Sequence, residues 1–126
     1  MSASISVFHV GANAPQASDT RFGRCVWRLC PSLEAAQAAL AEDTPEAILI
    51  SCASEAEART LPYWAAWTQA VLAAAVVVQV PEPSRELVLH LLRAGVQDVL
   101  PAGPLDDEAI GRSLCLAIER KRQEQE

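Results

Sequence analysis

Few side chains in this sequence have the type and spacing that chemistry needs, and those few lie far apart. The four cysteines, Cys25, Cys30, Cys52 and Cys115, form no CxxC pair and match no zinc-ligand spacing. In an extended segment Cys25 and Cys30 point to opposite faces, so they cannot share one ligand. All four read as buried free thiols. His9 stands in an apolar strand and His90 in a helix, each isolated in sequence, so neither is assigned a catalytic role. Ser51 ends an apolar run, but a serine hydroxyl is a poor nucleophile without a base, and nothing near it in sequence supplies one. Gly11-Ala12-Asn13-Ala14 contains one glycine and no following Gly-Lys, so it is not a phosphate-binding loop. The polar groups near strand ends reduce to Asn13, Ser51 and Ser54. The expectation is therefore no enzyme, no cofactor and no metal.

Composition narrows the class further. A chain of 126 residues is one domain with room for a single core. Hydrophobic residues make up 51% and charged ones 21%, which is a folded globular balance. The formal charge of −6 is the wrong sign for a nucleic-acid footprint. The longest apolar run, Val71 to Val78, is strand-sized and far short of the roughly 18 residues of a membrane span. The first residues lack the charged start and long apolar stretch of a secretory signal, so the expected location is the cytoplasm.

The elements that would position these residues alternate along the chain. Ile5, Val7 and Val10 mark a first strand, and residues 16–24 are polar with a weak helical signal. Cys25 to Leu29 is a second strand, stopped by Pro31. Ser32 then caps a helix carrying Leu33, Ala36, Ala39 and Leu40. Ala47 to Ile50 is a continuous apolar run suited to a strand buried on both faces. Ser54-Glu55-Ala56-Glu57 has capping-box character, and Pro62 fits the first turn of a helix with Trp64, Trp67 and Val71 on one side. Both tryptophans are expected in the core. A fourth strand, Ala75 to Val80, is closed by Pro81-Glu82-Pro83, and Ser84 caps a helix with Val88, Leu91 and Leu92 as its core stripe. Gly95 stops that helix, and Val96 to Leu100 is a fifth strand ended by Pro101-Ala102-Gly103-Pro104. The last helix opens on Asp106, Asp107 and Glu108, buries Ile110, Leu114, Ala117 and Ile118, and runs into Arg120-Lys121-Arg122. Such alternation predicts an α/β, flavodoxin-like (βα)5 three-layer sandwich. Its five-stranded parallel sheet would have the order 2-1-3-4-5.

Residues 91–122, LLRAGVQDVLPAGPLDDEAIGRSLCLAIERKR, together with Thr44-Pro45-Glu46-Ala47-Ile48-Leu49-Ile50, resemble a response-regulator receiver domain. The resemblance implies a domain over residues 1–118, with 119–126 as the charged end of the last helix, leading into an output module. A working receiver phosphorylates an aspartate ending its third strand. Two acids after the first strand hold Mg²⁺, and a hydroxyl and a lysine at later strand ends bind the phosphoryl oxygens. Counted onto this chain, the phosphoacceptor place is Ser51, the acidic pair Gly11 and Ala12, the hydroxyl Val80, the switch aromatic Val99 and the lysine Ala102. Residues 1–18 contain no Asp or Glu at all.

The resemblance therefore implies a degenerate, pseudo-receiver member. It would act without phosphorylation, by homodimerisation or by docking to control an attached output module such as a kinase or cyclic-di-GMP enzyme. Receivers commonly pair through the fourth helix, fifth strand and fifth helix. The matching candidate face here is Leu87, Leu89, His90, Val99, Arg112, Leu116 and Glu119. The alternative expectation is a sensor domain binding a small metabolite at the strand C-termini. Neither nucleic acid nor membrane is an expected partner.

Overall fold

A computed structural model describes residues 4–11, 19–102 and 107–125. The strands are β1 (Ser4–Val10), β2 (Asp19–Thr20), β3 (Gly23–Cys30), β4 (Ala47–Ser51), β5 (Ala75–Val80) and β6 (Asp98–Pro101). The helices are α1 (Leu33–Glu42), α2 (Glu55–Arg59), α3 (Trp67–Ala73), α4 (Arg85–Arg93) and α5 (Asp107–Gln125), with a 3-10 turn at Leu61–Tyr63. The sheet order is β2-β3-β1-β4-β5-β6. The five longer strands are parallel, and counted alone they give the expected 2-1-3-4-5 arrangement. β5 shows why an unbroken apolar run belongs in such a sheet: Val76, Val77, Val78 and Val80 are each 0% exposed, covered from both sides.

Two cores flank the sheet. On one face Phe8, Val10, Ile48, Ile50, Val76 and Val78 meet Ala36, Ala39 and Leu40 of α1, Ala58 of α2, Trp67 and Ala70 of α3, and Leu87 and Leu91 of α4. On the other, Ile5, Val7, Cys25, Ala47, Leu49, Ala75 and Val77 meet Ile110, Leu114, Ala117 and Ile118 of α5. Alternation of side chains along each strand makes this division, so Cys25 and Cys30 fall in different cores as expected. Ser32, Ser54 and Ser84 each accept a bond from the backbone N–H three residues on, fixing the starts of α1, α2 and α4.

The structure corrects three expectations. Residues 19–24 are not helical: β2 pairs antiparallel with β3, Asp19 opposite Arg24 and Thr20 opposite Gly23. Thr20 Oγ1 accepts from Phe22 N at 3.1 Å and donates to Gly23 O at 3.0 Å, which shapes the turn. This hairpin rests directly on α5, where a Cβ at Gly111 would lie 2.4 Å from Thr20 Oγ1. Next, the helix expected from Pro62 begins only at Trp67, because Pro62 lies in the 3-10 turn and the chain is extended at Trp64. Trp67 is buried and donates Nε1–H to Ala94 O at 3.1 Å, while Trp64 and Val71 pack against the same core, part-buried. Last, α4 is rotated from its expected phase. Leu87 and Leu91 are fully buried, Val88 is half-buried and Leu92 is 41% exposed.

Candidate functional site

The parallel register brings the C-terminal ends of β1, β4 and β5 together. His9 lies opposite Leu49 and Ser51 opposite Gln79. His9 shares its sheet face with Val7, and Ser51 shares the same face with Leu49, so the two polar side chains converge. His9 Nε2 is 3.0 Å from Ser51 Oγ, and Ser51 Oγ donates to Gln79 Oε1 at 3.2 Å. With Ser51 donating to Gln79, His9 Nε2–H is the donor to Ser51 Oγ. His9 Nδ1 is buried without a hydrogen-bond partner among the described residues. The ring is 2% exposed, and its edge meets Trp27 at 6.2 Å and 86°. Burial lowers the imidazole pKa from its ordinary value, which keeps the ring neutral at neutral pH.

Gly11 closes β1 with φ +151 and donates its N–H to Cys30 O at 3.0 Å. A Cβ at Gly11 would sit 3.2 Å from Ser51 Cβ and 3.4 Å from His9 Cε1, so the backbone packs closely on the pair and a side chain there would be crowded. Cys52 donates its N–H to Gln79 O at 2.8 Å, and Ala53 N–H donates to Glu57 Oε2 at 3.0 Å. The Cys52 thiol is pushed up to about 12, first by burial and then by the Glu57 carboxylate. It is a protonated packing group. Among the described residues no three His, Cys, Asp or Glu side chains gather in a group that could hold a metal ion.

The positions counted from the sequence fall as follows. Gly11 and Ser51 come together at the strand ends, and Ala12 lies outside the described residues. Val80 is 0% exposed within the core, so the side chain that meets residue 51 from β5 is Gln79. Ala102 is exposed past β6 and donates its N–H to Val80 O at 2.8 Å. Sequence reasoning left Ser51 without a partner, and the structure supplies His9, whose Nε2–H donates to it. The signal was available: alternation from Ile5 puts His9 on the same face as Ser51, on the neighbouring strand.

On the α4–β6–α5 side, Leu87 is core and drops out of the candidate face. Its side chain points into the α4–sheet contact. Leu89 and Val99 are half-buried, His90, Arg112 and Glu119 are exposed, and Leu116 is 38% exposed. Leu92, which the sequence placed inside, takes Leu87's place outside.

The strand order, the helices on both faces of the parallel sheet and the convergent strand ends are those of a flavodoxin-like α/β domain. Solved structures share that fold. The pilus assembly protein CpaE from Caulobacter crescentus CB15 is 23% identical with a TM-score of 0.69, over 91% of this chain and 94% of that one. The signal receiver domain of a LuxO-type repressor from Vibrio parahaemolyticus is 14% identical with a TM-score of 0.68, over 96% and 95%. NtrX from Brucella abortus is 13% identical with a TM-score of 0.72, over 97% of this chain and 29% of that longer one. No protein-family model matches the sequence, and no curated protein matches it. No helix among the described residues is long and apolar enough to cross a membrane.

Proposed function

We propose that this chain is a pseudo-receiver, a regulatory domain of a bacterial signalling or pilus-assembly protein that works by protein contact and not by a phosphoryl group. The observation that carries this reading is the neutral trio His9, Ser51 and Gln79 at the strand ends, in a chain whose first 18 residues contain no acid. Phosphoryl transfer at such a mouth depends on carboxylates for a hard cation and on fixed positive charge for the transferred group. A hydroxyl, a neutral imidazole and an amide supply neither.

Contact falls to the α4–β6–α5 side. Leu92 and Leu116 expose apolar surface there, with Leu89 and Val99 part-buried and His90, Arg112 and Glu119 offering polar groups. An apolar centre with polar groups about it is the composition of an interface. A homodimer through this face, or a docked second module, would set the spacing and orientation of an attached output module such as a kinase or cyclic-di-GMP enzyme. The likeness to CpaE and to a LuxO receiver supports a place in pilus assembly or signal transduction. The test is light scattering of the protein and of Leu116→Arg, with heteronuclear NMR before and after Mg²⁺ and beryllofluoride. A dimer that Leu116→Arg dissociates, with unchanged spectra, supports the reading. Specific shifts around Ser51 would refute it.

A further inference from the structure

We infer that the foot of α5, at the opposite end of the sheet from His9 and Ser51, binds a free α-amino acid with an apolar side chain. This goes beyond the reading above and does not rest on the contact face. Two cavities open where the strands begin and α5 ends, with volumes of about 170 and 190 Å³. Glu46, Ile118 and Arg122 line both, so the two meet at these residues. The smaller has an apolar wall of Ile5, Phe22, Cys115 and Ile118, with Glu119 beside it. An apolar cavity of about 150 Å³ is enough to hold a benzene ring, so this wall matches a branched aliphatic or phenyl side chain in size. Apolar walls with a few placed polar groups are the usual lining of a small-molecule site.

Charge selects the head group. Glu46 Oε1 accepts from Ser6 N at 3.2 Å, and its Oε2 accepts from Arg122 Nη2 at 3.1 Å. Arg122 Nη1 lies 3.9 Å from Glu119 Oε2. One guanidinium therefore serves two carboxylates. Lys121, the neighbouring cation, is committed to Val71 O. A ligand with only a carboxylate would bring a third negative group beside Glu46 and Glu119. One with only an ammonium would leave Arg122 contending for the same oxygens. A head with both charges on one carbon offers its carboxylate to Arg122 and its ammonium to Glu46 or Glu119, so each charge that gives up a partner gains another. Opening the present pairs costs little, because all three side chains are more than a third exposed and exposed ion pairs contribute little. Arg122 also pins the end of α5 to Glu46, so occupancy alters how that end is held.

The probes are L-leucine and L-phenylalanine, added at millimolar concentration to the isotope-labelled intact chain and followed by NMR titration and thermal unfolding. Expected are saturable shifts at Ile5, Phe22, Cys115, Ile118 and Arg122, with a raised unfolding midpoint. Isocaproate and isoamylamine keep the leucine side chain but carry one charge each, and should bind about tenfold or more weakly. Glycine, which has the head group and no side chain, should fall behind by a similar factor of about ten. Arg122→Gln, a change at an exposed side chain, should weaken L-leucine about tenfold while the unliganded protein stays folded. Absence of saturable shifts with either amino acid overturns the proposal. So does equal binding of isocaproate or isoamylamine, or a response centred on His9, Ser51 and Gln79. None of these results bears on the response to Mg²⁺ and beryllofluoride, which tests the pseudo-receiver reading separately.

Discussion

Acidifying the protein from about pH 8 to about pH 5 is expected to cost stability through His9, in a window set by its burial. The unfolded imidazole titrates near 6.5, while burial lowers the folded value. Above the unfolded value both states are neutral, and the His9 contribution is fully present. Between the two values the unfolded chain binds a proton that the folded chain refuses, so stability falls with falling pH. For one group the slope is at most about 1.4 kcal/mol per pH unit. Protonating the folded ring would place a charge in a site 2% exposed and add an Nδ1 proton with no acceptor among the described residues. With a urea slope of roughly 2 kcal/mol/M, one unit of pH inside the window shifts the midpoint by about 0.7 M. The assay is urea unfolding followed by tryptophan fluorescence, for the native protein and for His9→Gln, which keeps a donor for Ser51 and does not titrate. Glu55 does not confuse the window, because its hydrogen bonds to Ser84 hold its carboxyl below the ordinary 4.5, where its own contribution is lost. Expected is a gap between the two proteins that closes as pH falls below 6.5, at constant slope in urea. Parallel pH profiles for the two would refute the reasoning.

Two further outcomes follow from packing. Leu87→Ala should cost about 2–5 kcal/mol, because its side chain is fully buried, whereas Leu92→Ala should stay within about 0.5 kcal/mol; urea midpoints compare them. Gly111→Ala should cost about 1–3 kcal/mol by driving a methyl group to 2.4 Å from Thr20 Oγ1. Part of that cost should return in the double variant with Thr20→Ala, read as a non-additive cycle in thermal unfolding.

The five long strands were legible because each is an apolar run bounded by proline, glycine or a serine cap, and their alternation with helices fixed the order. The hairpin was not. Asp19, Thr20, Arg21 and Arg24 carry no apolar period, and a two-residue strand has no signal of its own; its packing depends on Gly111, some ninety positions on. The phase of α4 was illegible for the opposite reason. From Leu87 to Leu92 every residue but His90 is apolar, so several stripes fit equally well, and only the buried pair Leu87 and Leu91 selects one. At the strand ends Ser51 was found by counting from Pro45, but Gln79 was missed by a single residue. Counting through a loop of uncertain length cannot fix parity, whereas the Ser51–Gln79 register does. His9 was seen and set aside because its partner lies 42 positions away.

The last turns of α5 are fastened sideways to the body. Arg120 donates to Gln97 O, Lys121 to Val71 O and Gln125 to Leu72 O, while Arg122 pairs with Glu46 at 3.1 Å. Lys121 and Gln125 thus answer carbonyls of α3's closing turn, which its own ladder leaves open. Tension applied at Gln125 would load these attachments as a group, and a rotation of that end would drag α3 with it. The stretch that composition alone paints as a solvated tail behaves mechanically as a grip on the domain's underside.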